Sequence, residues 1–276
     1  MHINLHNSLY FNHTMIRLTL LLFFLLQLGS EQPTVQIDSA TYELVWSDNF
    51  SGNELDISKW ATRHKDKMHG KSKIREHCST LDGKGHLVLQ TKLIPSDDEI
   101  GYSIESGMIT TQNIQDWKYG LFEAKIKFES AEGHHGAFWL QSDEYGKVVD
   151  DFEASGSEID IIEYFGRKGS LSQNIHWNAY KSKEKKTVGS GYLKTNPAIE
   201  TVDTEFHVYS LLWTPSEYVF YIDGEETWRT DKAVSQHDEY IILSLLASKW
   251  EAGRIEPNQF PDTMEVDWVR VFQKTN

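Results

Sequence analysis

The sequence predicts an all-β protein, a β-sandwich made of two antiparallel sheets. Short segments rich in β-branched and aromatic residues recur at regular spacing between residues 42 and 272, with Gly and Asp turns between them. Few segments keep a helical period for more than two turns. The dipeptide Asp223-Gly224 directly follows the apolar run EYVFYI, which is a strong signal for a two-residue β-hairpin. The 276 residues are enough for one large β-domain or two small ones, of which we predict one.

The N-terminus has the pattern of a secretory signal. Residues 18–28 (LTLLLFFLLQL) form an apolar run that is too short to span a bilayer comfortably. We predict a signal peptide over residues 1–30 that is cleaved near Ser30, then a short polar leader over 31–41. No lipoprotein cysteine follows the cleavage site, and an uncleaved N-terminal anchor is the alternative. We therefore expect residues 42–276 to form a secreted or periplasmic catalytic domain with no membrane contact.

The mature chain divides into strand-like segments. Each is a short apolar or alternating run bounded by turn residues. The basic run KSKEKK at 181–186 is interpreted as a solvated loop, with a binding patch as the alternative. The predicted strand segments are 42–50, 55–60, 85–91, 105–113, 119–128, 136–142, 156–165, 172–180, 206–213, 217–224, 239–248 and 264–272.

Charge and cysteine content restrict the partners. With 27 basic and 41 acidic residues the formal charge is −14, which argues against nucleic acid or an anionic membrane as a partner. The same charge mildly disfavours a sulfated polysaccharide, although a local basic patch would override it. Cys78 is the one cysteine, so no intramolecular disulfide forms, and we interpret it as a buried spectator. We expect a monomer.

The stretch GSEIDIIEYF carries the candidate chemistry. Its three carboxylates, Glu158, Asp160 and Glu163, lie among isoleucines with no basic residue between them. In a strand Glu158 and Asp160 share one face, whereas strict alternation puts Glu163 on the other. One extra residue, a β-bulge at Ile161 or Ile162, returns Glu163 to the first face. The sequence therefore predicts a bulge.

With this bulge, the two glutamates can cooperate in one reaction. Their carboxylates could approach to about 5 Å, the separation found in retaining glycoside hydrolysis. Asp160 between them could raise the pKa of a glutamate or orient the nucleophile through a hydrogen bond. The alternative is a solvated acidic strand face. The stretch is apolar and glycine-flanked, which favours a buried, curved strand.

At these residues the chain resembles glycoside hydrolase family 16, whose signature is E-x-D-x-x-E on a bulged strand. The resemblance runs from about Tyr42 to Phe272. It implies a concanavalin A-like jelly roll with a concave substrate cleft. By the same resemblance Glu158 would be the nucleophile, Glu163 the general acid/base and Asp160 the assisting carboxylate. The motif form is similar to that of laminarinases, agarases and carrageenases.

Aromatic and polar residues near the motif are candidates for binding sugars. Trp139 precedes the catalytic strand, and the resemblance places a tryptophan of this strand beside the nucleophile. Asn174 and His176 share a face by alternation, and His176 could bind the assisting aspartate or a sugar hydroxyl. Core packing is the alternative for each candidate. Further candidates for flanking subsites are Trp117, Trp177 and Trp250.

The sequence offers two candidate places for metal binding. His134 and His135 are adjacent, so in a strand they face oppositely, and we interpret them as loop residues at the cleft rim. The family resemblance implies one structural calcium, bound by Asp267 with main-chain oxygens near Asn49 and Gly85. No cofactor is required for the expected chemistry.

The sequence thus predicts a secreted, endo-acting, retaining glycosidase that cuts internal β-linkages of a polysaccharide. A laminarin-like β-1,3-glucan is the first expectation. The segments SKWEAGRIEP and HHGAFWL differ from the commonest laminarinase versions, so a red-algal galactan (agarose, porphyran or carrageenan) is the alternative. A transglycosylase and a non-catalytic carbohydrate-binding protein also stay open.

Overall fold

The computed structural model describes residues 32–97, 101–167, 169–247 and 255–275, and nearly all regular structure there is β-strand. The predicted signal peptide lies outside the described residues. Helical structure in the described part is one short turn of α-helix, α1 (Phe152–Ser155), and three 3₁₀ turns. The strands are β1 (Thr34–Ile37), β2 (Ala40–Asp48), β3 (Ala61–Thr62), β4 (Met68–His69), β5 (Ser72–Ile74), β6 (Ser79–Leu81), β7 (Leu87–Pro95), β8 (Tyr102–Thr110), β9 (Gly120–Lys127), β10 (His134–Gln141), β11 (Glu158–Tyr164), β12 (Ser172–Trp177), β13 (Lys186–Gly189), β14 (His207–Trp213), β15 (Tyr218–Ile222), β16 (Glu225–Thr230), β17 (Tyr240–Ala247) and β18 (Asp262–Lys274).

The strands form two antiparallel arrays. One, the groove sheet, has the order β13-β12-β11-β10-β17-β8. The other, the outer sheet, runs β16-β15-β14-β9-β18, and β18 then pairs with β2 along one part of its length and with β7 along another. Strand β8 joins the two arrays, because its first half pairs with β7 and its second half with β17.

The two sheets pack face to face through one apolar core. Phe138 and Ile159 of the groove sheet lie in the same buried cluster as Phe122 and Leu211 of the outer sheet. Burial of this apolar surface is the main favourable contribution to folding. The architecture confirms the predicted all-β jelly-roll sandwich. Among the described residues, no helix is long and apolar enough to cross a bilayer.

Strands β10 and β17 are buried on both faces along their whole length. On the core side Phe138 and Leu140 pack into the sandwich. On the opposite side Trp139 packs with Tyr240 and Leu246 in a second apolar cluster. The groove side of these two strands is therefore a well-packed surface that is largely shielded from water.

The predicted bulge is present in β11. Against β10, Phe138 pairs with Ile162 and Trp139 with Asp160, so Ile161 has no partner of its own. The pairing with β12 shows the same shift between Asp160 and Glu163. The hairpin at Asp223-Gly224 is also confirmed: both residues have positive φ, as a two-residue turn between twisted strands requires.

Two local expectations were wrong. The leader contains a strand, since β1 pairs with β2 and its Val35 and Ile37 pack on a small apolar cluster. Residues 55–60 form a turn, because the Asp56 carboxylate accepts hydrogen bonds from the Ser58 backbone N–H and hydroxyl and so competes with strand formation. The basic run 181–186 is an exposed loop up to residue 185, as interpreted, and its last residue begins β13.

Truncation of Phe122 should destabilise the sandwich. Its ring is fully buried between Trp117 and Trp213. We expect Phe122→Ala to lower the free energy of unfolding by about 3–5 kcal/mol. Urea denaturation followed by tryptophan fluorescence measures the change. Ile57, which is 85% exposed, supplies the control, and Ile57→Ala should change the same quantity by less than about 0.5 kcal/mol. Equal effects of the two substitutions would contradict the assigned core.

Candidate active site

An open groove of about 820 Å³ lies on the outward face of the groove sheet, and the carboxylates of β11 are at its centre. Glu158 and Asp160 are buried, with 6% and 5% exposure. The bulge turns Glu163 into the same groove. Around them the groove is lined by His69, His135, Ala137, Trp139, Phe165, Ser172, Asn174, His176, Tyr180, Lys185, Thr187, Gly191, Tyr192, Ser244 and Leu246.

Glu158 is held by a chain of hydrogen bonds that the sequence did not reveal. The Gln141 side-chain amide donates from Nε2 to Glu158 Oε2 at 2.7 Å. Gln141 Oε1 in turn accepts from Arg63 Nη2 at 2.6 Å and from the Tyr240 hydroxyl at 3.1 Å. These two donors fix the orientation of the amide, so its NH₂ group points at Glu158. The buried Arg63 guanidinium also lies 5.0 Å from the Trp139 ring.

Asp160 contacts His176, as the sequence analysis expected. His176 Nε2 lies 3.1 Å from Asp160 Oδ2, and Nδ1 lies 2.6 Å from Thr187 Oγ1. Burial lowers the pKa of His176, so its imidazole is neutral. A neutral ring donates through one nitrogen and accepts through the other. With Nδ1–H directed at Thr187, Nε2 is a hydrogen-bond acceptor that faces the Asp160 carboxyl group, which donates when it is protonated.

Glu163 has a partner at each oxygen. His135 Nε2 lies 2.9 Å from Oε1, and Asn174 Nδ2 donates to Oε2 at 2.5 Å. The His135 ring stacks on Phe165, with centroids 4.6 Å apart and parallel planes. The expectation of rim-loop histidines was therefore wrong, because both lie in β10. They do face oppositely: His134 turns away from the groove and contacts Ala131 O.

The three carboxyl groups have different proton affinities. Burial and the Asp160 charge raise the pKa of Glu158 to about 8. Burial and the Glu163 charge raise the pKa of Asp160 well above its usual value. Burial raises the pKa of Glu163, but the hydrogen bond and charge of His135, together with the hydrogen bond from Asn174 and the His176 ring, outweigh it, and the net pKa is lowered. The raised pKa values of Glu158 and Asp160 indicate that one of the two holds a proton, and we assign that proton to Asp160. Asp160 is then neutral and does not repel the Glu158 carboxylate.

The predicted substrate-binding residues divide into two groups. Trp139, Asn174 and His176 line the groove, as predicted, and the Trp139 indole donates to Ser244 Oγ at 3.2 Å. Two tryptophan assignments were wrong, because both side chains pack on the core. Trp117 packs edge-on against Trp46, and Trp177 lies on the opposite face of β12 from His176. The last candidate, Trp250, lies outside the described residues.

One side of the groove comes from the loop that was predicted to be solvated. Lys185 lines the groove, and its ammonium lies 5.0 Å from the Tyr180 ring. It makes no ion pair with the described part of the chain. Periodicity could not identify it, since neighbouring lysines at 181 and 183 are exposed in the same run.

The residues expected to bind calcium lie in two adjacent backbone segments and one ion pair. Asn49 O lies 3.8 Å from the point where a Cβ of Gly85 would be, so these two backbone segments are adjacent. Asp267 Oδ2 accepts from Lys125 Nζ at 2.8 Å. This ion pair balances the charge that would attract calcium, and binding would require Lys125 to move. The calcium site stays a prediction.

A second cluster with metal-ligand chemistry lies away from the groove. The ligand atoms of His77, Cys78 and Glu105 lie within 4.8 Å of one another. Arg75 already pairs with Glu105 at 3.2 Å. Burial raises the pKa of the Cys78 thiol to about 11, which disfavours the thiolate that metal binding or nucleophilic attack requires. This agrees with a spectator role for the cysteine.

A β-sandwich with a groove that holds two glutamates and an aspartate on one bulged strand has the architecture of a glycoside-hydrolase domain. A sequence profile of the β-porphyranase A–D GH16 domain matches residues 43–274. The chain therefore belongs to glycoside hydrolase family 16, as its motif indicated.

Individual relatives are distant. Glucan endo-1,3-beta-glucosidase A1 of Niallia circulans is 27% identical over 89% of this chain, which spans 41% of that protein's length. Beta-porphyranase E of Zobellia galactanivorans is 25% identical, with 82% of this chain and 85% of that protein covered. The endo-beta-1,3-glucanase structure from Pyrococcus furiosus has a TM-score of 0.73 and 23% identity, covering 88% of this chain and 98% of that one.

Removal of the amide that holds Glu158 should slow polysaccharide hydrolysis. Gln141→Leu deletes a hydrogen bond to a charged group, worth about 1.5–3 kcal/mol. We expect kcat/KM to fall by about 10-fold to 100-fold on the polymer that the wild-type protein cuts. Initial-rate assays of reducing ends measure the loss. Gln236→Leu changes an exposed amide outside the groove and should leave the rate unchanged. A wild-type rate for Gln141→Leu would contradict the positioning role.

Proposed function

We propose that this protein is an endo-acting, retaining polysaccharide hydrolase. The observation that carries the proposal is the bulge, which brings Glu163 into the groove that already holds Glu158. Glu158 attacks the anomeric carbon while Glu163 gives a proton to the departing glycosidic oxygen. A water molecule then displaces the sugar from Glu158, and Glu163 takes up the proton of that water.

The contacts of each carboxyl group support its role. The Gln141 NH₂ group stabilises a negative charge on Glu158, which a nucleophile requires. Protonated Asp160 does not repel the negative charge of Glu158. Its carboxyl oxygen lies within 4.8 Å of a Glu158 carboxyl oxygen, so the two groups influence each other's ionisation. The groove, at about 820 Å³, is at the upper end of the size of small-molecule sites and exceeds what one sugar ring requires. This size supports binding of a polymer segment.

For the substrate we propose a β-linked galactan, including its sulfated forms. The family profile that spans the domain is that of β-porphyranases, and β-porphyranase E is a relative over most of both lengths. Lys185 places a cation in the groove of an otherwise acidic protein. This is the local basic group that would offset the net charge of −14 for an anionic polymer.

A laminarin-like β-1,3-glucan is the second candidate. It was the first expectation from the motif, and the relative from Niallia circulans carries an endo-1,3-beta-glucosidase name. We also propose that the domain acts outside the cytoplasm, on the basis of the apolar run at residues 18–28. We keep the expectation that it is a monomer.

A panel of polymers tests the substrate and the stereochemistry together. The purified protein is incubated with porphyran, agarose, κ-carrageenan, keratan sulfate, laminarin and lichenan, and proton NMR follows the first anomer released. We expect cleavage of a galactan with early β-anomer, because double displacement retains configuration. Early α-anomer would overturn the retaining mechanism. Cleavage of laminarin alone would replace the galactan with the glucan, and no cleavage of any polymer would count against hydrolysis.

Substitution of the nucleophile should abolish turnover. Glu158→Gln keeps the size of the side chain but cannot form a glycosyl ester. We expect kcat to fall by about 10⁴-fold or more, as for other covalent nucleophiles. The exposed Glu76 supplies the matched control, and Glu76→Gln should retain wild-type activity. Activity of Glu158→Gln near that of the control would refute the assignment.

The Lys185 cation should matter for charged polymers only. We expect Lys185→Gln to raise KM by about threefold to fivefold on a sulfated galactan, the size of an exposed ion-pair contribution, and to leave KM on agarose unchanged. Lys183→Gln removes an exposed lysine of the same run and should affect neither polymer. Because salt screens exposed charges, the effect should shrink at high ionic strength. An equal loss on both polymers would exclude a charge-based role.

A further inference from the structure

The side chain of His135, which lies in β10, contacts the candidate acid/base Glu163 of β11. Its Nε2 lies 2.9 Å from Glu163 Oε1. In the β10–β11 pairing it is Ala137, two residues further along β10, that lies opposite Glu163. The side chains at 135 and 137 share the groove face, so the imidazole reaches the carboxylate diagonally across the strands.

The imidazole is held firmly in this position. Its ring stacks in parallel on Phe165, the residue that follows β11. The side chain is buried, with 9% exposure. A ring packed in this way keeps one orientation, and so the Nε2 to Oε1 contact is part of the fold rather than one of many rotamers.

A histidine in this position can respond to both protonation states of the carboxyl group. When Glu163 is ionised, Nε2–H donates to Oε1; when Oε1 carries a proton, an unprotonated Nε2 accepts it. Double displacement requires both states in each catalytic cycle, acid in the first half and base in the second. The Asn174 amide at the other oxygen can only donate, so it favours the ionised state alone.

We propose that His135 is a positioning residue of the reaction, which holds the Glu163 carboxyl group and sets the pH at which it changes from acid to base. This rests on the proposed function of Glu163. The E-x-D-x-x-E motif does not include His135, which precedes Glu163 by 28 residues.

The direction of the effect follows from the charges around the pair. Burial raises the pKa of Glu163, whereas the hydrogen bond and charge of His135 lower it, as does the hydrogen bond from Asn174. Loss of the imidazole leaves burial opposed by fewer favourable contacts, so the pKa of Glu163 should rise. The other titratable and charged groups that face the pair from the surrounding elements are His69 in β4, Glu158 and Asp160 in β11, His176 in β12, and Lys185 before β13.

The experiment is a carbon-13 NMR titration of the glutamate side-chain carboxyl groups, with the Glu163 signal assigned by its absence in Glu163→Gln. Wild type, His135→Gln and His135→Phe are compared. We expect the Glu163 midpoint to rise by about one to two pH units in His135→Phe. The rise should be smaller in His135→Gln, whose amide keeps a hydrogen bond but carries no charge. His77→Gln, which replaces an exposed histidine outside the groove, should leave the midpoint unchanged.

A Glu163 midpoint in both His135 variants within about 0.3 units of wild type would overturn the proposal. Should His135→Phe not fold, His135→Gln still decides the question. On the cleaved polymer, the alkaline limb of kcat/KM should move to higher pH in the same order, since this limb reports the essential acid of the free enzyme. A merely structural role would lower kcat/KM equally at every pH. The titration needs no substrate, so a failed polymer assay and a failed His135 assignment are distinguishable.

Discussion

The extra residue in β11 is the constraint on which the site depends. Without it, Ile162 would face the groove and Glu163 the core, so the sandwich core would receive a carboxylate where it now has an isoleucine. Ile161 and Ile162 are both fully buried in the main core. The bulge therefore satisfies the core and the groove at once: it keeps two consecutive isoleucines in apolar surroundings and presents the third carboxylate to the groove.

Strand β10 makes this arrangement possible, since it carries partners for the two glutamates of β11 on one face and core residues on the other. Gln141 binds Glu158, Trp139 lies over Arg63, and His135 binds Glu163. Gly136, between them, packs so closely on Phe128 that an added Cβ would lie 2.7 Å from that ring. The close packing holds β10 against the outer sheet, so the side chains it aims at the groove have fixed positions.

The sequence specified much of the fold and half of the site. Alternation and turn residues predicted the strands, and the odd spacing of Glu163 predicted the bulge, because both are local properties of the chain. Trp177 was assigned incorrectly although alternation places it on the opposite face from His176, and Trp117 because it lies in an irregular segment before β9, where no periodic pattern indicates burial. Arg63 and Gln141 were not found at all. Their contacts join residues 78 and 17 positions apart, and only the folded topology brings them together.

The difference between the two glutamates arises from these distant partners rather than from the motif. In sequence they are equivalent residues beside isoleucines and one aspartate. In the fold, Glu158 lies beside Asp160 and accepts a hydrogen bond from a neutral amide. Burial and repulsion from ionised Asp160 raise the pKa of Glu158, and this repulsion is absent when Asp160 carries a proton. Glu163 receives an imidazole, and its pKa is lowered in spite of burial. In the free protein Glu163 is therefore the more acidic of the two glutamates, whereas the proposed roles require an ionised Glu158 and a proton on Glu163 when substrate binds. Because this difference is produced by β10 and β12, changes in those strands can tune the chemistry while the E-x-D-x-x-E motif stays the same.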